Sequence, residues 1–171
     1  MINYTIEDYR NRRLALIQKV PTPITPVNID AESRHITLAY FDKQSTVDYI
    51  GAVQGIPVCF DAKECKTDTF PLANVHEHQV KFMKDMEVQQ GISFLLIYYT
   101  ERHEVYYLPF RDLERFWERM QKGGRKSFTF DEIDRTYRVE LKKELFVHFL
   151  EALQLDLLSR EDGSEDQRER G

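Results

Sequence analysis

Hydrophobic positions along this chain follow two periods. Apolar residues recurring every three or four positions predict helices, and alternating or unbroken apolar runs of four to eight predict strands. Ile6, Tyr9, Arg13, Leu14, Ala15, Leu16 and Ile17 give residues 5–18 a helical face, with Thr5 as the cap. Pro21-Thr22-Pro23 stops that helix and imposes extended geometry. Strands follow over residues 24–30 and 34–41, where Ile36, Leu38 and Tyr40 alternate with Thr37, Ala39 and Phe41. The short link at residues 30–33 makes the pair a hairpin that can project.

A third strand is expected to end near Asp48-Tyr49, with Gly51 and Gly55 bracketing a turn. A fourth covers residues 56–63, with Pro57 near its start, where a ladder tolerates it. Residues 75–89 read as a helix capped by Asn74, with Val75, Phe82, Met83 and Met86 on its apolar side. The apolar runs at 92–99 and 105–108 predict strands buried on both faces. Helix 110–121 carries Leu113, Phe116, Trp117 and Met120 on one stripe, and Phe116 and Trp117 read as core rather than as a stacking platform. A basic turn at Lys122-Gly123-Gly124-Arg125-Lys126, a last helix over 139–158 and a charged tail complete the pattern. Strands precede, interleave with and follow helices, so the class is α/β or α+β with a mixed central sheet. The expected organisation is one domain over residues 1–158 and a disordered tail over 159–171.

The 171 residues are 42% hydrophobic and 31% charged, which excludes a disordered chain. The run from Ile92 to Tyr99 is far shorter than the ~20 residues a membrane span needs. Residues Met1-Ile2-Asn3-Tyr4 lack the basic-then-apolar pattern of a signal peptide. Two cysteines, Cys59 and Cys65, are too few for a disulfide framework, so the expected compartment is the reducing cytoplasm. The net charge of −5 excludes a uniformly basic surface. The segment from Ser159 to Gly171 holds five acids and three arginines, so the body is nearer neutrality and has room for a local basic stripe.

The candidate chemistry lies in Val58-Cys59-Phe60-Asp61-Ala62-Lys63. Strand alternation puts Asp61 and Lys63 on one face and Phe60 and Ala62 on the other. A hairpin through the preceding glycine turn returns Asp48 beside Asp61. Two adjacent carboxylates are costly without a cation between them. Hard oxygen ligands in small number suit Mg²⁺, with Mn²⁺ as a substitute. Lys63 adds positive charge beside a scissile phosphate, as phosphodiester hydrolysis needs. An acid two residues before a lysine also occurs at Glu64/Lys66 and Glu140/Lys142, so position, not the tripeptide, selects Asp61. The alternative is an exposed strand end with ordinary charges. A zinc site from His76, His78, Cys59 and Cys65 lacks the tight spacings structural zinc requires.

Several ordered motifs resemble the RecU family. They are Lys19-Val20-Pro21-Thr22-Pro23-Ile24, Val27-Asn28-Ile29-Asp30, Ala39-Tyr40-Phe41 and Lys43-Gln44-Ser45-Thr46-Val47-Asp48-Tyr49-Ile50-Gly51. Phe60-Asp61-Ala62-Lys63-Glu64, the run from Phe70 to Gln79, Gly91-Ile92-Ser93-Phe94, Phe116-Trp117 and Gly124-Arg125-Lys126-Ser127 continue the match over residues 9–150. The resemblance implies a bacterial Holliday-junction resolvase of the PD-(D/E)xK restriction-endonuclease-like fold, a mixed sheet flanked by helices. It implies a homodimer acting on branched, four-way DNA, with a recombinase as a further partner.

Carried over residue by residue, the resemblance places Thr46, Asp48, Asp61 and Gln79 where the family binds magnesium. Lys63 falls at the lysine that stabilises the transition state. Asp61 stands where the family usually has glutamate, and Val47 stands where the wider fold has proline. Residues 24–41 correspond to a stalk that enters the junction centre, with Arg34, His35 and Lys43 as its basic residues. Arg10, Arg12 and Arg13, together with Lys122, Arg125 and Lys126, are candidate phosphate contacts. Glu7 does not fall on the acid of the family's first helix, and the basic residues the family carries ahead of Tyr9 have no counterpart. A non-catalytic DNA-binding protein on the same fold, or a nuclease acting on other DNA, are the competing expectations.

Overall fold

A computed structural model describes residues 1–22, 24–30, 32–33, 35–41, 46–142 and 146–168. The elements run α1 (Ile2–Asn11), β1 (Ala15–Lys19), β2 (Ile24–Ile29), β3 (Ile36–Phe41), β4 (Tyr49–Val53), β5 (Ile56–Cys65) and β6 (Thr69–Pro71). They continue with α2 (Glu77–Val88), β7 (Ile92–Tyr99), β8 (Glu104–Pro109), α3 (Phe110–Gln121), β9 (Ser127–Thr129), β10 (Arg138–Val139), β11 (Leu141–Lys142), β12 (Phe146–Val147) and α4 (Leu150–Arg168).

A six-stranded mixed sheet in the order β1-β4-β5-β7-β8-β10 forms the centre. Only the β5–β7 pair is parallel, with Asp61 opposite Leu95 and Lys63 opposite Ile97. Residues alternate into two cores. Cys59, Cys65, Leu95 and Ile97 pack with Val80 and Met83 of α2 and Leu113 and Phe116 of α3. Val58, Phe60, Phe94 and Leu96 pack on the other face with Tyr9 of α1 and Ala152 and Leu153 of α4. β7 is thus buried on both faces, as its unbroken apolar run predicts. β2 and β3 form a separate two-stranded hairpin with Val27, Ile36 and Leu38 exposed. The mixed sheet with flanking helices and the stalk-like hairpin are both present.

Four sequence expectations are corrected. Residues 5–18 are not one helix. Arg13 takes a left-handed φ of 57°, the helix ends at Asn11, and residues 15–19 become edge strand β1 with Ala15 and Ile17 buried. Thr5 caps nothing: it is fully buried inside α1, where its Oγ1 accepts the Val147 N–H at 2.8 Å. Tyr49 opens β4 rather than ending a strand, and Gly51 lies inside that strand. There its hydrogen faces Leu16 O, which a Cβ would approach to 2.1 Å. The turn is Gln54-Gly55 alone, both with positive φ (48° and 86°), as a two-residue hairpin that follows strand twist requires.

The fourth correction concerns the C-terminal helix. Arg138 and Val139 add an edge strand to β8, β11 and β12 pair antiparallel, and α4 begins only at Leu150. It then continues through Ser159 to Arg168 rather than ending at 158. Charge anchors that continuation. Arg160 pairs with Glu87 at 2.6 Å and with Asp156, a fully buried carboxylate that also accepts Tyr107 Oη at 2.6 Å and is bonded by Arg111.

Candidate active site

The β4–β5 hairpin sets Tyr49 opposite Phe60. Asp48 precedes β4, and β5 runs on past Phe60 without a β4 partner. The amides that would have continued the ladder instead find side chains. Ala62 N–H donates to Asp48 Oδ2 at 3.3 Å, and Asp48 N–H donates to Asp61 Oδ1 at 2.6 Å. The Asp48 carbonyl accepts Val20 N–H at 2.8 Å, tying this corner to the segment after β1. The corner is fixed by the end of β1, the start of β4 and the middle of β5.

Asp61 has no solvent-exposed surface, yet it carries a charge-bearing side chain. Lys63, two residues on and on the same face, puts its Nζ 3.2 Å from Asp61 Oδ2. Apart from that ion pair, Asp61 Oδ2 is a buried oxygen without a hydrogen-bond partner. Burial pushes the Asp61 carboxyl above its usual range; Lys63 opposes the shift and Asp48 adds to it. A fully desolvated carboxylate held by one lysine beside a second carboxylate is a donor set of the kind that favours a cation. Two carboxylates, with water completing the shell, match how Mg²⁺ is held. Among the described residues no three His, Cys, Asp or Glu side chains are grouped to hold a metal ion.

Thr46 is half-buried two residues before Asp48. Gln79 is 6% exposed in the first turn of α2, the helix that covers the Asp61 face. Its Oε1 accepts the His76 N–H at 3.0 Å, so His76, not Asn74, is the helix cap. The reading of the sequence missed this pairing because histidine is not among the preferred cap types. His76 and His78 stack on each other at 5.4 Å. Phe116 is core, and Trp117 is half-buried, packed against that core and lining an open groove of about 680 Å³ between α2 and α3.

The candidate phosphate contacts divide. Arg10, Arg12 and Arg13 are exposed, with Arg12 only weakly held by Asp8 at 3.4 Å. Lys126 is exposed, and its carbonyl accepts Leu72 N–H at 3.0 Å, which ties the basic turn to the segment entering α2. Arg125 is held by Glu132 at 3.1 Å, and Glu132 is also paired with Arg119. Arg34 and Lys43 lie outside the described residues.

Comparison with known proteins adds the family. Its model, described as Recombination protein U, matches residues 1–155. The chain belongs to the RecU family. A Holliday junction resolvase RecU of Oceanobacillus iheyensis is 46% identical over 136 residues, covering 77% of this chain and 69% of that one. That of Listeria monocytogenes serotype 4a is 43% identical over the same length, covering 77% and 68%. That of Staphylococcus aureus strain JH9 is 40% identical over 163 residues, covering 92% and 77%. The solved Holliday junction resolvase Hjc of Archaeoglobus fulgidus aligns with 80% of this RecU chain and 87% of its own, at a TM-score of 0.46 and 10% identity, too distant to argue from.

Proposed function

We propose that this RecU-family chain is a metal-dependent endodeoxyribonuclease of PD-(D/E)xK type that resolves four-way DNA junctions by paired symmetric nicks in recombination and repair. The observation that carries the reading is the desolvated Asp61 carboxylate, framed by Asp48 and paired with Lys63. The relatives' shared name supplies the junction as substrate.

Asp48 and Asp61 fit Mg²⁺, with Mn²⁺ as substitute; Thr46 and Gln79 complete the ligand set of the reading. A cation held by these residues would supply Lewis acidity and the activation of water that phosphodiester hydrolysis needs. The chain's own residues do the rest. The Ala62 and Asp48 amides orient the two carboxylates before substrate arrives, so no reorganisation is needed at the moment of reaction. Lys63, 17% exposed, reaches the solvent side of Asp61 and neutralises charge developing on the phosphoryl oxygens. Arg10, Arg12, Arg13, Arg125 and Lys126 are the described residues assigned to phosphate contact.

Two opposed strands must be nicked, which a two-fold homodimer provides with two related sites. The protein works in the cytoplasm with a recombinase among its partners. No described helix is long and apolar enough to cross a membrane. The test is cleavage of a synthetic four-way junction and of linear duplexes of the same sequence, with and without Mg²⁺, beside Asp61→Ala. Paired nicks confined to the junction and lost in Asp61→Ala support the reading. Binding without nicks in either metal overturns it in favour of a non-catalytic DNA-binding protein. Equal cutting of duplex shows a nuclease for other DNA. Sedimentation equilibrium reads the dimer.

A further inference from the structure

The open groove between α2 and α3 has no part in the endonuclease reading: Asp48, Asp61, Lys63 and Gln79 do not line it. α2 leads into β7, and α3 leaves β8, the antiparallel neighbour of β7, so the two helices run antiparallel on one face of the sheet. Lys84 and Glu114 bridge them at 2.7 Å and close one end of the groove. One helical turn from that bridge, Lys81 of α2 comes level with Trp117 and Glu118 of α3. A turn further, Glu77 comes level with Gln121. The stretch of α2 from Glu77 to Lys84 is about 10 Å long, two helical turns.

The floor and the rims differ in chemistry. Val80 and the half-buried Trp117, the one tryptophan of the chain, make an apolar floor between charged rims. On the α3 side Glu114 and Glu118 line the groove with no base among them; on the α2 side Lys81 and Lys84 outnumber Glu77. Lys81 is exposed and has no ion pair among the described residues. Glu118 is exposed, and its pair with Lys122 of the same helix, at 3.2 Å, is of the surface kind that opens at little cost.

These features select the occupant. Three carboxylates in the lining repel a phosphate backbone, which disfavours nucleic acid. Both walls are helices, so there is no sheet edge for an extended strand to join. Two helices side by side leave a trough that a third fills by packing its ridge between them. Two turns is the span of apolar anchors at i, i+4 and i+7 on such a helix.

We propose that the α2–α3 groove docks an amphipathic helix of a protein partner, with apolar anchors over Val80 and Trp117, a basic flank along Glu118 and an acidic flank along Lys81. Two turns of helix cover less than a standard interface, so the contact is transient and its dissociation constant micromolar.

Trp117 reports on the groove directly, because no other tryptophan contributes emission. Three helical peptides of about 16 residues, long enough to hold a helix, serve as probes. All carry leucines at i, i+4 and i+7. One has lysines on one flank and glutamates on the other, one has lysines on both flanks, and one has glutamates on both. The mixed peptide is expected to shift Trp117 emission to shorter wavelength with micromolar affinity, and the other two to bind about tenfold more weakly. Lys81→Glu makes both rims acidic and should transfer the preference to the all-lysine peptide. Glu118→Lys makes both rims basic and should transfer it to the all-glutamate peptide. Unchanged emission up to about 1 mM mixed peptide, equal binding of the three peptides, or a preference that neither variant moves overturns the proposal. A four-way junction that shifts Trp117 emission and displaces the peptide assigns the groove to DNA and overturns it as well. So does an emission shift that grows with protein concentration alone and is lost in both variants, which assigns the groove to a second copy of the chain. The fluorescence reads the groove whether or not the chain nicks junctions, so failure here and failure of the endonuclease reading are separate results.

Discussion

The main-chain N–H of Asp48 donates to Asp61 Oδ1 at 2.6 Å, while the Asp48 carboxylate accepts Ala62 N–H at 3.3 Å. Each acid is therefore oriented by the backbone of the other's strand. Like charges at this separation repel, and the fold offsets that with two amides and Lys63 rather than with solvent. The buried Oδ2 of Asp61 has the Lys63 ammonium as its partner.

Asp61→Asn tests that trade directly. Asparagine keeps an acceptor for Asp48 N–H and removes a charge whose ionised form burial disfavours. Nicking should fall below detection, while the thermal midpoint in metal-free buffer stays the same or rises. A fall of the midpoint by several degrees would show that Asp61 holds the fold together rather than serving the site.

Lys63→Met moves the opposite way. It leaves Asp61 buried and unpaired, so the thermal midpoint should drop. Breaking a buried pair from one side costs on the order of 3 kcal/mol, less here because Lys63 keeps some solvent contact. Nicking should fall about 10²-fold or more at saturating Mg²⁺, as for loss of one preorganised charge at a transition state. Combining it with Asp61→Asn should recover most of the lost stability and none of the activity, which a double-mutant cycle reads.

The Asp61/Lys63 face, the returning Asp48 and the span of α3 were legible because each follows from a local period. What was not legible depends on distant partners. Leu14 to Ile17 look helical after α1, yet Ala15 and Ile17 become strand by pairing with Val53 and Gly51. Only the left-handed φ at Arg13, unusual for a non-glycine residue, permits the break. The stretch from residue 139 reads as helix because β10, β11 and β12 are two residues long and draw their partners from β8 or from each other. The tail looked unanchored because its anchor, Glu87, lies 73 positions away from Arg160. The bond from His76 N–H to Gln79 Oε1 was not legible because no sequence pattern announces a histidine cap.

Thr5→Val should destabilise the chain without touching the site. Thr5 Oγ1 accepts Val147 N–H at 2.8 Å in a fully buried position and links α1 to β12. Valine has the same shape and leaves that amide orphaned, at a cost of about 1–3 kcal/mol. Thr5→Ser should restore most of it. Urea denaturation reads both, and single-turnover nicking below the transition should be unchanged.

Glu132 gives the pH dependence. Arg119, hydrogen bonds from Thr129 and the nearby Arg125 act on its carboxyl, which is held down at about 2 from an ordinary 4.5. A depressed acid contributes stability that is complete above the ordinary value and is lost as pH falls from about 4.5 through about 2. The pair is partly solvated, so the contribution at neutral pH is discounted to about 1 kcal/mol. Glu132→Gln should therefore lower stability at pH 7 and converge with the parent near pH 2. The gap should narrow with salt. Because Glu132 also holds Arg125 and so braces the basic turn carrying Lys126, the same variant should weaken junction binding severalfold while leaving metal affinity unchanged. Urea titrations across pH, paired with junction binding at two ionic strengths, check this; a stability gap that persists at pH 2 would rule out the ion pair as its cause.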